Sequence, residues 1–389
     1  MRGRLAVAAL ALVLAACAES PSTPSPTVSQ IRQDAPLFAR GGPDAVEGQY
    51  IVVFNDDVAD PDGKSKDKAG KLNGNIKHTY VSAIKGFAAE LTDEAVAELR
   101  RDPDVAYIEQ DQTVSVNTTQ TGATWGIDRI DQRNRPLSGT YTYTATGAGV
   151  RAYIIDTGIR PTHSQFGTRA STVYGSNDCH GHGTHVAGTV GGSTYGVAKG
   201  ALLRGVKVLN CSGSGTISAI IAGVDWVRVN HIKPAVANMS IGGGFSSSLN
   251  TAVNNLANAG VFVAVAAGNS NANACNSSPS SATGATTVMS STSSDAKSSF
   301  SNWGSCAHVY APGSSITSAW WTSNTATNTI SGTSMASPHV AGVAALYKSA
   351  FGDASSSTIR TWIINNSTAN VISGNPSGTP NRLLFKSTL

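Results

Sequence analysis

Short apolar runs separated by polar, glycine-rich segments make up most of the chain after residue 117. Four of these runs are bounded by turn residues and predict buried parallel strands at 149–155, 203–209, 235–239 and 261–266. Helical patterns lie between them at 182–190, 216–230 and 248–259. Because strands and helices alternate, the pattern predicts an α/β domain over 118–389, with a doubly wound, mostly parallel sheet and helices on both faces. In such sheets the functional groups collect at the carboxyl ends of the strands.

A smaller unit with a different pattern precedes this domain, over residues 46–117. It is predicted to contain strands at 50–54, 86–91 and 105–109 and helices at 60–72 and 92–101. This order is typical of a small α+β unit of the split β-α-β, ferredoxin-like type. Residues 18–45, before it, are rich in Ser, Pro and Thr without a hydrophobic period, and they predict a flexible linker.

The first residues have the pattern of an export signal. Arg2 and Arg4 precede an apolar run that ends in small residues, and the run is too short to span a membrane as a mature helix. A signal peptide over 1–17 predicts that the chain leaves the cytoplasm. The end of this segment, up to Cys17, also resembles a bacterial lipoprotein cleavage site. Two alternatives stay open: lipidation of Cys17, which would attach the precursor to a membrane, and ordinary cleavage.

Composition narrows the possible partners and the use of the cysteines. Charged residues are 13% of the 389, the formal net charge is +4, and the sequence has no block of Lys and Arg, so nucleic acid is not expected as a partner. An even number of cysteines in an exported protein favours disulfides over metal sites or free thiols. Four cysteines follow Cys17, and three pairings are possible for Cys179, Cys211, Cys275 and Cys306.

Ser334 lies where a loop is predicted to become a helix. The segment Gly-Thr-Ser-Met-Ala-Ser-Pro-His at 332–339 is followed by the apolar run 340–346. Small neighbours leave the hydroxyl accessible, and a helix that begins there directs free N–H groups and a positive dipole end at its surroundings. Ser334 could therefore be a nucleophile, or only a helix cap.

Two further segments could supply the partners of a nucleophilic serine. Asp156 follows the predicted strand 149–155 and could hold an imidazole in one tautomer. An aspartic protease would need a second Asp-Thr-Gly or Asp-Ser-Gly, and the sequence has neither. The segment 179–185 holds one cysteine and three histidines, which suggests either a zinc site or a general base for Ser334. Since no glutamate lies in this segment, the base is favoured.

Asn269 follows the predicted strand 261–266 through Ala267 and Gly268. An asparagine is common at a tight turn, where it tolerates unusual backbone angles. Beside a serine nucleophile, however, its side-chain amide could donate to the oxyanion of a tetrahedral intermediate. The residues around Asn269 are compatible with both roles.

Three motifs together resemble the signature blocks of the subtilase family of serine endopeptidases. They are Asp156-Thr157-Gly158, the block 182–188 that begins His-Gly-Thr-His, and the block 332–338 that contains Ser334. The order Asp, His, Ser is that of subtilisin. Within the family, the chain is most similar to the proteinase K branch, particularly its aqualysin-like bacterial enzymes. Residues 125–133 resemble the mature amino end of that branch, and the resemblance extends from about residue 118 to 385.

The resemblance implies a role for each motif residue. Ser334 would attack the peptide carbonyl, His182 would be the base, and Asp156 would orient His182. His185 would be structural, a distinction that reasoning from the residues alone does not make. Asn269 and the backbone N–H of Ser334 would form the oxyanion hole.

The resemblance also implies where an extended substrate binds. Two backbone edges would pair with it by strand addition, namely Ser212, Gly213, Ser214 and Gly215 on one side and Ser240, Ile241 and Gly242 on the other. Ala266, Ala267 and Gly268 would form the wall of the pocket for the residue before the scissile bond, P1. Because these residues are small, large apolar or aromatic P1 side chains are expected.

Disulfides and structural calcium follow from the same resemblance. The pairs would be Cys179–Cys211 and Cys275–Cys306. A first calcium site would comprise Asp295 with the carbonyls of Thr283 and Ala285. A second would comprise Asp128, Asp131 and Gln132, where Ser138 and Thr140 stand in place of more acidic residues of some relatives. No cofactor is expected to take part in the chemistry.

Residues 46–117 resemble the inhibitory propeptide of the family, so the chain is expected to be a self-processed zymogen, and a monomer. An inactive relative that only binds peptides is the alternative from another class, and the presence of all four catalytic residues disfavours it. An esterase or a transpeptidase would share the acyl-enzyme, and relative turnover of peptides and esters would separate these activities.

Overall fold

The computed structural model describes residues 34–41, 45–112 and 118–389. The predicted signal peptide, Cys17 and most of the predicted linker lie outside the described residues, as do residues 113–117. The chain divides into two compact units, residues 1–114 and residues 115–389. No helix of the described residues is both long and apolar enough to cross a membrane.

The first unit is a five-stranded sheet with two helices. Its elements are β1 (Leu37–Phe38), β2 (Ala45–Phe54), α1 (Pro61–Lys71), β3 (Asn75–Val81), β4 (Lys85–Glu90), α2 (Asp93–Leu99) and β5 (Val105–Gln112). The strand order is β1-β5-β2-β4-β3, and the antiparallel pairs β2–β4 and β2–β5 form its centre. Apolar side chains such as Val52, Phe87 and Ile108 are fully buried, so the unit has its own core. The structure thus confirms the predicted α+β unit.

Two parts of this unit differ from the sequence predictions. Residues 34–41 fall in the predicted flexible linker, yet β1 pairs in parallel with β5, and Ala35 is buried with its N–H donating to the carbonyl of Arg100. The prediction of a flexible linker is therefore wrong for this segment, since a two-residue strand is too short to give a periodic signal. The strand β3 was not predicted, because most of its side chains are exposed or half-buried.

The second unit begins with a hairpin-like pair around a short helix and continues as alternating strands and helices. Its elements are β6 (Thr118–Thr121), α3 (Trp125–Asp131), β7 (Thr140–Tyr143), β8 (Arg151–Asp156), β9 (Ala170–Tyr174), α4 (His182–Gly191), β10 (Leu202–Lys207), α5 (Ile217–Asn230), β11 (Ala235–Met239), β12 (Gly243–Gly244), α6 (Ser247–Asn258), β13 (Phe262–Ala266), β14 (Ser277–Ser278), β15 (Thr286–Ser291), β16 (Val309–Pro312), β17 (Ile316–Ala319), β18 (Thr327–Ile330), α7 (Thr333–Phe351), α8 (Ser356–Asn366), β19 (Thr368–Ala369) and β20 (Arg382–Leu383).

A nine-stranded sheet forms the centre of this unit, in the order β19-β20-β16-β15-β13-β11-β8-β10-β9. Neighbouring strands pair in parallel, except that β19 and β20 are antiparallel to each other. This confirms the predicted mostly parallel sheet. Alternate residues of β8 face opposite cores: Ile154 packs with α4 and α7, whereas Tyr153 and Ile155 pack with α5 and α6. Both faces are therefore covered by helices, as a doubly wound fold requires.

The arrangement of β8 creates a crevice at its carboxyl end. Along the chain, β8 is followed by β9 and β10 on one side of it and then by β11 on the other, so Asp156 lies where the strand order reverses. Such switch points are where open α/β sheets bind ligands. The N-termini of α4 and α7 carry the other two candidate residues, His182 and Ser334.

Candidate active site

Asp156 and His182 are joined by a hydrogen bond between Asp156 Oδ1 and His182 Nδ1, at 2.8 Å. The same oxygen accepts the backbone N–H of Thr157 at 2.7 Å. The carboxylate is fully buried, whereas a fifth of the His182 side chain is accessible. This geometry fixes the imidazole so that Nδ1 faces the carboxylate, and it leaves Nε2 for a reacting group.

The surroundings of His182 favour its protonated form. Burial works to lower the pKa of His182, but the negative charge and hydrogen bond of Asp156, together with the charge of Asp178, outweigh it, and the pKa is raised. A base of this kind gains a proton readily during the reaction. It is available as a base only above its pKa, because it must first be neutral.

Two other members of the cysteine–histidine segment, His185 and Cys179, are committed elsewhere. His185 is fully buried, its Nε2 lies 2.9 Å from the carbonyl oxygen of Ile316, and burial lowers its pKa to about 4. Cys179 is bonded to Cys211. The cluster therefore does not converge on a zinc ion, and the two histidines have different roles, His182 at the site and His185 in the core.

Ser334 is the second residue of α7, whose N-cap is Gly332 and receives no side-chain capping bond. Helices α5, α6 and α8 are instead capped by the side chains of Thr216, Ser246 and Ser355. The Ser334 hydroxyl donates to the carbonyl oxygen of Ser240 at 3.1 Å, and Ser240 Oγ donates to the carbonyl of Ser334 at 2.7 Å. Ser334 is thus no helix cap; its hydroxyl rests against the backbone at the end of β11.

Asn269 presents its side-chain amide to the same place. Its Oδ1 accepts from both the N–H and the hydroxyl of Thr333, each at 2.8 Å, which directs Nδ2 the other way. A Cβ atom built on Gly332 would lie 3.5 Å from both Asn269 Nδ2 and the backbone nitrogen of Ser334. The two donors therefore face the same space beside Gly332, which a side chain at this position would occupy. This is the geometry that an oxyanion hole requires.

His182 lies at the edge of a cleft of about 440 Å³. The predicted substrate edges line it together: Ser212, Gly213, Ser214 and Gly215 on one side, and Ser240, Ile241 and Gly242 on the other. The first edge is held by the Asn210 side chain, whose Oδ1 accepts from the N–H groups of Ser212 and Ser214. Small side chains on both edges leave backbone groups accessible to an extended chain.

The predicted wall of the P1 pocket is only partly supported. Ala266 is 5% exposed and Gly268 is half-buried, but neither is among the residues that line the described cleft. Ala267 is fully buried and packs with Met289 and Tyr310 in a separate small core. Its side chain is therefore directed into this core and not toward the described cleft.

Both disulfides have the predicted pairing. Cys179–Cys211 spans a Cα–Cα distance of 5.0 Å, and Cys275–Cys306 spans 5.4 Å. The first joins the loop before His182 to the loop that carries the 212–215 edge. Each closes a moderate loop, which is worth about 3 to 4 kcal/mol in the chain-entropy description.

Known proteins share this organisation over most of the chain. The sequence pattern of the Subtilase family matches residues 147–383, more than half of the protein, and the pattern of Peptidase inhibitor I9 matches residues 49–117. The chain belongs to the subtilase family. The resemblance of the three motifs is thereby confirmed.

Individual subtilases are similar over nearly the full length. An extracellular serine proteinase of Thermus sp. (strain Rt41A) is 49% identical over 401 residues, which cover 96% of each protein. Proteinase R of Parengyodontium album is 45% identical over 369 residues, 92% of this chain and 93% of that protein. The crystal structure of a cold adapted subtilisin-like serine proteinase is 51% identical with a TM-score of 0.67, covering 69% of this chain and 99% of that chain. This subtilase is accordingly a serine endopeptidase made with an I9-type leader.

The structure of the protease does not fit the predicted first calcium site. The Asp295 carboxylate receives both Nε and Nη2 of the buried Arg129, at 2.7 and 3.0 Å. The carbonyls of Thr283 and Ala285 both accept from Nη1 of Arg360, at 2.7 and 3.1 Å. These three predicted ligands thus bind two different arginines. A guanidinium already supplies positive charge at the carbonyl pair, so a calcium ion there would have to displace it and face its repulsion.

The second predicted site is a better match for calcium. Ser138 Oγ lies 3.0 Å from Asp128 Oδ1 and 2.8 Å from Thr140 Oγ1, while the Ser138 N–H is shared between Asp128 Oδ1 and Gln132 Oε1. Asp128 is almost fully buried. Burial and the charge of Asp128 raise the pKa of Asp131 to about 6, despite opposing effects of Thr142 and Lys386. The oxygens of Asp128, Gln132, Ser138 and Thr140 lie close together here, and two neighbouring carboxylates, which Lys386 compensates only in part, suit a calcium ion.

Several site residues of the subtilase were not found from sequence. Thr333, which orients Asn269, and Gly332, which leaves the donors accessible, lie inside the recognised motif but had no assigned role. Asp178 lies one residue before the cysteine–histidine segment and accepts five hydrogen bonds. Arg360 is 77 residues from Thr283. Thr333, Gly332 and Asp178 could have been found only from their position inside or next to a motif. No local signal indicates Arg360.

Proposed function

We propose that this subtilase is exported and cleaves proteins as a self-processed zymogen with broad specificity. Residues 1–17 would be the signal peptide, 18–45 a linker, 46–117 the inhibitory leader and 118–389 the catalytic domain. The match of residues 49–117 to an inhibitor family and the separate core of the first unit support this division. The Thermus relative is named as an extracellular proteinase, which supports export.

The proposed mechanism rests above all on how one cleft brings the three residues together. His182, which is hydrogen-bonded to Asp156, lines this cleft, and so does Ser240, whose carbonyl oxygen accepts the Ser334 hydroxyl. On substrate binding the hydroxyl turns from the Ser240 carbonyl to His182 Nε2 and attacks the peptide carbonyl carbon. His182 takes the hydroxyl proton and then gives it to the leaving amine. Water repeats the sequence on the acyl-enzyme, with His182 again as the base.

Charge that develops on the carbonyl oxygen would be stabilised next to Gly332. Asn269 Nδ2 and the backbone nitrogen of Ser334 are the donors that converge there. The N-terminal end of α7 adds a positive dipole end on the same side. These groups are in place before the reaction, so no reorganisation is needed when the oxyanion forms.

Substrates would bind as an extended strand between the edges 212–215 and 240–242. Main-chain hydrogen bonds give affinity with little sequence preference, which accounts for broad specificity. We also propose a preference for apolar or aromatic P1 residues, because Ala266 and Gly268 are small and would leave room for a large P1 side chain. The leader would inhibit the enzyme until it is removed; its predicted carboxyl tail, residues 113–117, lies outside the described residues.

The experiment that tests the proposed function is labelling of the nucleophile. A fluorophosphonate should modify Ser334 in a one-to-one ratio, and casein hydrolysis should fall in proportion, because only the serine beside a base is activated. Peptide mapping by mass spectrometry locates the label. Protein unfolded before exposure is the control and should remain unlabelled. Full inactivation with the label on another residue would contradict the assignment.

Calcium is proposed as a structural ion at the loop formed by Asp128, Asp131, Gln132, Ser138 and Thr140. Its charge would compensate the two carboxylates and hold the 132–140 loop against α3. No calcium is proposed at Thr283 and Ala285, where Arg360 supplies the positive charge.

Removal of calcium is expected to lower the melting temperature (Tm) of the enzyme by about 5 to 10 °C. This is the effect expected for a bound ion whose free concentration is about 100 times its Kd. Calorimetry with and without a chelator measures it, on enzyme inactivated at Ser334 so that self-digestion is prevented. In Asp131→Asn the chelator should have little effect. Asp295→Asn is the matched control: it breaks the bond to Arg129 but should keep the full chelator shift. If the chelator lowered the Tm of Asp131→Asn but not that of Asp295→Asn, the calcium ion would be assigned to the Asp295 site instead.

A further inference from the structure

Asp178 is a buried carboxylate that the proposed mechanism does not use. It lies in the loop between β9 and α4 and is only 8% exposed. A buried carboxylate is costly unless hydrogen bonds compensate it. Here five donor groups face it, from the residue after β8, from the loop before α4 and from the first turn of α4. Its oxygens accept five hydrogen bonds, from Thr157 Oγ1 (2.9 Å), His180 N (2.9 Å), Gly181 N (2.9 Å), Thr184 N (3.0 Å) and Thr184 Oγ1 (2.6 Å).

These bonds connect the two segments that carry Asp156 and His182. Thr157 follows Asp156 directly, and its N–H binds the Asp156 carboxylate. Gly181 and Thr184 flank His182 in the first turn of α4. Thr157 Oγ1 also accepts the N–H of Gly183 at 2.9 Å, so the hydroxyl links Asp178 to the helix a second time. Displacement of Asp178 would therefore change the distance between the strand end and the helix start.

The backbone permits this close approach only because glycine is present. A Cβ atom on Gly183 would lie 2.0 Å from the carbonyl oxygen of Gly158. The first turn of α4 is thus pressed against the Asp156-Thr157-Gly158 turn. Its N-cap, Gly181, has no side chain to satisfy the free N–H groups of the turn. Asp178 and Thr157 act as caps supplied from other parts of the chain.

The charge of Asp178 also acts on His182. His182 is the first residue of α4, where the positive end of the helix dipole disfavours a protonated imidazole. The carboxylate of Asp178 at the same helix end opposes this effect. The other titratable or charged groups near the imidazole are Asp156, His180 at a ring distance of 6.4 Å, His185, and Lys207, whose Nζ binds the Thr157 carbonyl at 2.7 Å.

We propose that Asp178 is a positioning residue of the catalytic base, which holds the Asp156 strand end and the first turn of α4 together and keeps His182 able to accept a proton. The proposal rests on the proposed function, because it assumes that His182 is the base. It assigns Asp178 no contact with substrate. The residue acts through Thr157, Gly181 and Thr184.

Asp178→Asn keeps the size of the side chain but removes the charge and places an amide against the Thr184 donors. We expect kcat/KM on a peptide substrate to fall about 10- to 100-fold, mostly in kcat. The acid limb of the pH profile should move to lower pH. The sign follows from charge: without a nearby carboxylate the protonated imidazole is less favoured, so the pKa of His182 falls and the neutral base persists at lower pH. Asp225→Asn, on the exposed side of α5, is the control and should change neither quantity.

A second pair of variants keeps the test valid if Asp178→Asn does not fold or mature. Thr157→Val removes the hydroxyl that joins Asp178 to the strand end and should lower kcat, whereas Thr157→Ser keeps the hydroxyl and should retain most activity. An unmoved acid limb in Asp178→Asn, with only a lower Tm, would overturn the proposal. So would equal kcat values for the two Thr157 variants. His182→Ala in the same assay tests the proposed function separately. If this variant kept full activity, His182 could not be the catalytic base.

Discussion

Replacing Ser334 by alanine is expected to abolish proteolysis, with a loss of kcat on the order of 10⁶, as removal of the nucleophile of the related subtilisin causes. The hydroxyl supplies the only bond to the acyl group, whereas the oxyanion donors at Asn269 and Ser334 N remain and give only residual catalysis. The fold should be kept, since the hydroxyl makes one hydrogen bond, to Ser240. Hydrolysis of casein and of a peptide anilide measures the loss.

The same variant should accumulate as an uncut precursor, because one serine is proposed to perform both substrate cleavage and release of residues 46–117. Electrophoresis of protein made in a host without other proteases measures the processing. Ser331→Ala is the matched control, as Ser331 is exposed and lies three residues earlier, and it should mature normally. Normal maturation of Ser334→Ala would remove Ser334 from the mechanism.

Asn269→Ala is expected to lower kcat by about 10²- to 10³-fold with little change in KM, the range found when an oxyanion donor of subtilisin is removed. The donor meets the oxygen mainly in the transition state, so substrate affinity should be preserved. The structure adds a reason for the strength of this donor: Thr333 fixes the other end of the amide with two hydrogen bonds. Steady-state kinetics on one peptide substrate measures both constants.

Thr333→Val separates donation from orientation. It removes the hydroxyl bond to Asn269 Oδ1 but keeps the backbone bond, so its loss of kcat should be smaller than that of Asn269→Ala. The double variant should be no worse than Asn269→Ala alone, because both changes act on the same amide. Additive losses would show that Thr333 acts through something other than Asn269.

Sequence patterns predicted the parts of the fold that bury continuous apolar runs. The strands β8, β10, β11 and β13 were predicted to within about two residues, since parallel strands covered on both faces are apolar at most positions. The exposed β3 and the two-residue β1 gave no such signal. Strand and helix alternation then sufficed to predict that Asp156 would lie at a strand end in a doubly wound sheet.

The residues of the active site could be predicted from sequence only where they belong to a recognisable local motif. The three motif residues and Asn269 lie in short recognisable segments, so their roles could be proposed from sequence and are supported by the geometry. The metal prediction failed at Thr283 and Ala285 because their partner, Arg360, belongs to a helix distant in sequence. Asp178 was missed because an aspartate in a polar loop has no pattern that distinguishes a buried acceptor from a solvated one.

The two disulfides have a practical consequence for a protease that can digest itself. Cys179 and Cys211 are 32 residues apart, and Cys275 and Cys306 are 31 apart. A single cut between the members of either pair leaves both fragments covalently joined, including a cut in the loops beside His182. Nicked molecules would therefore migrate as intact enzyme on a non-reducing gel, and only reduction would reveal the break. Storage lifetimes measured without a reductant would count damaged molecules as whole ones.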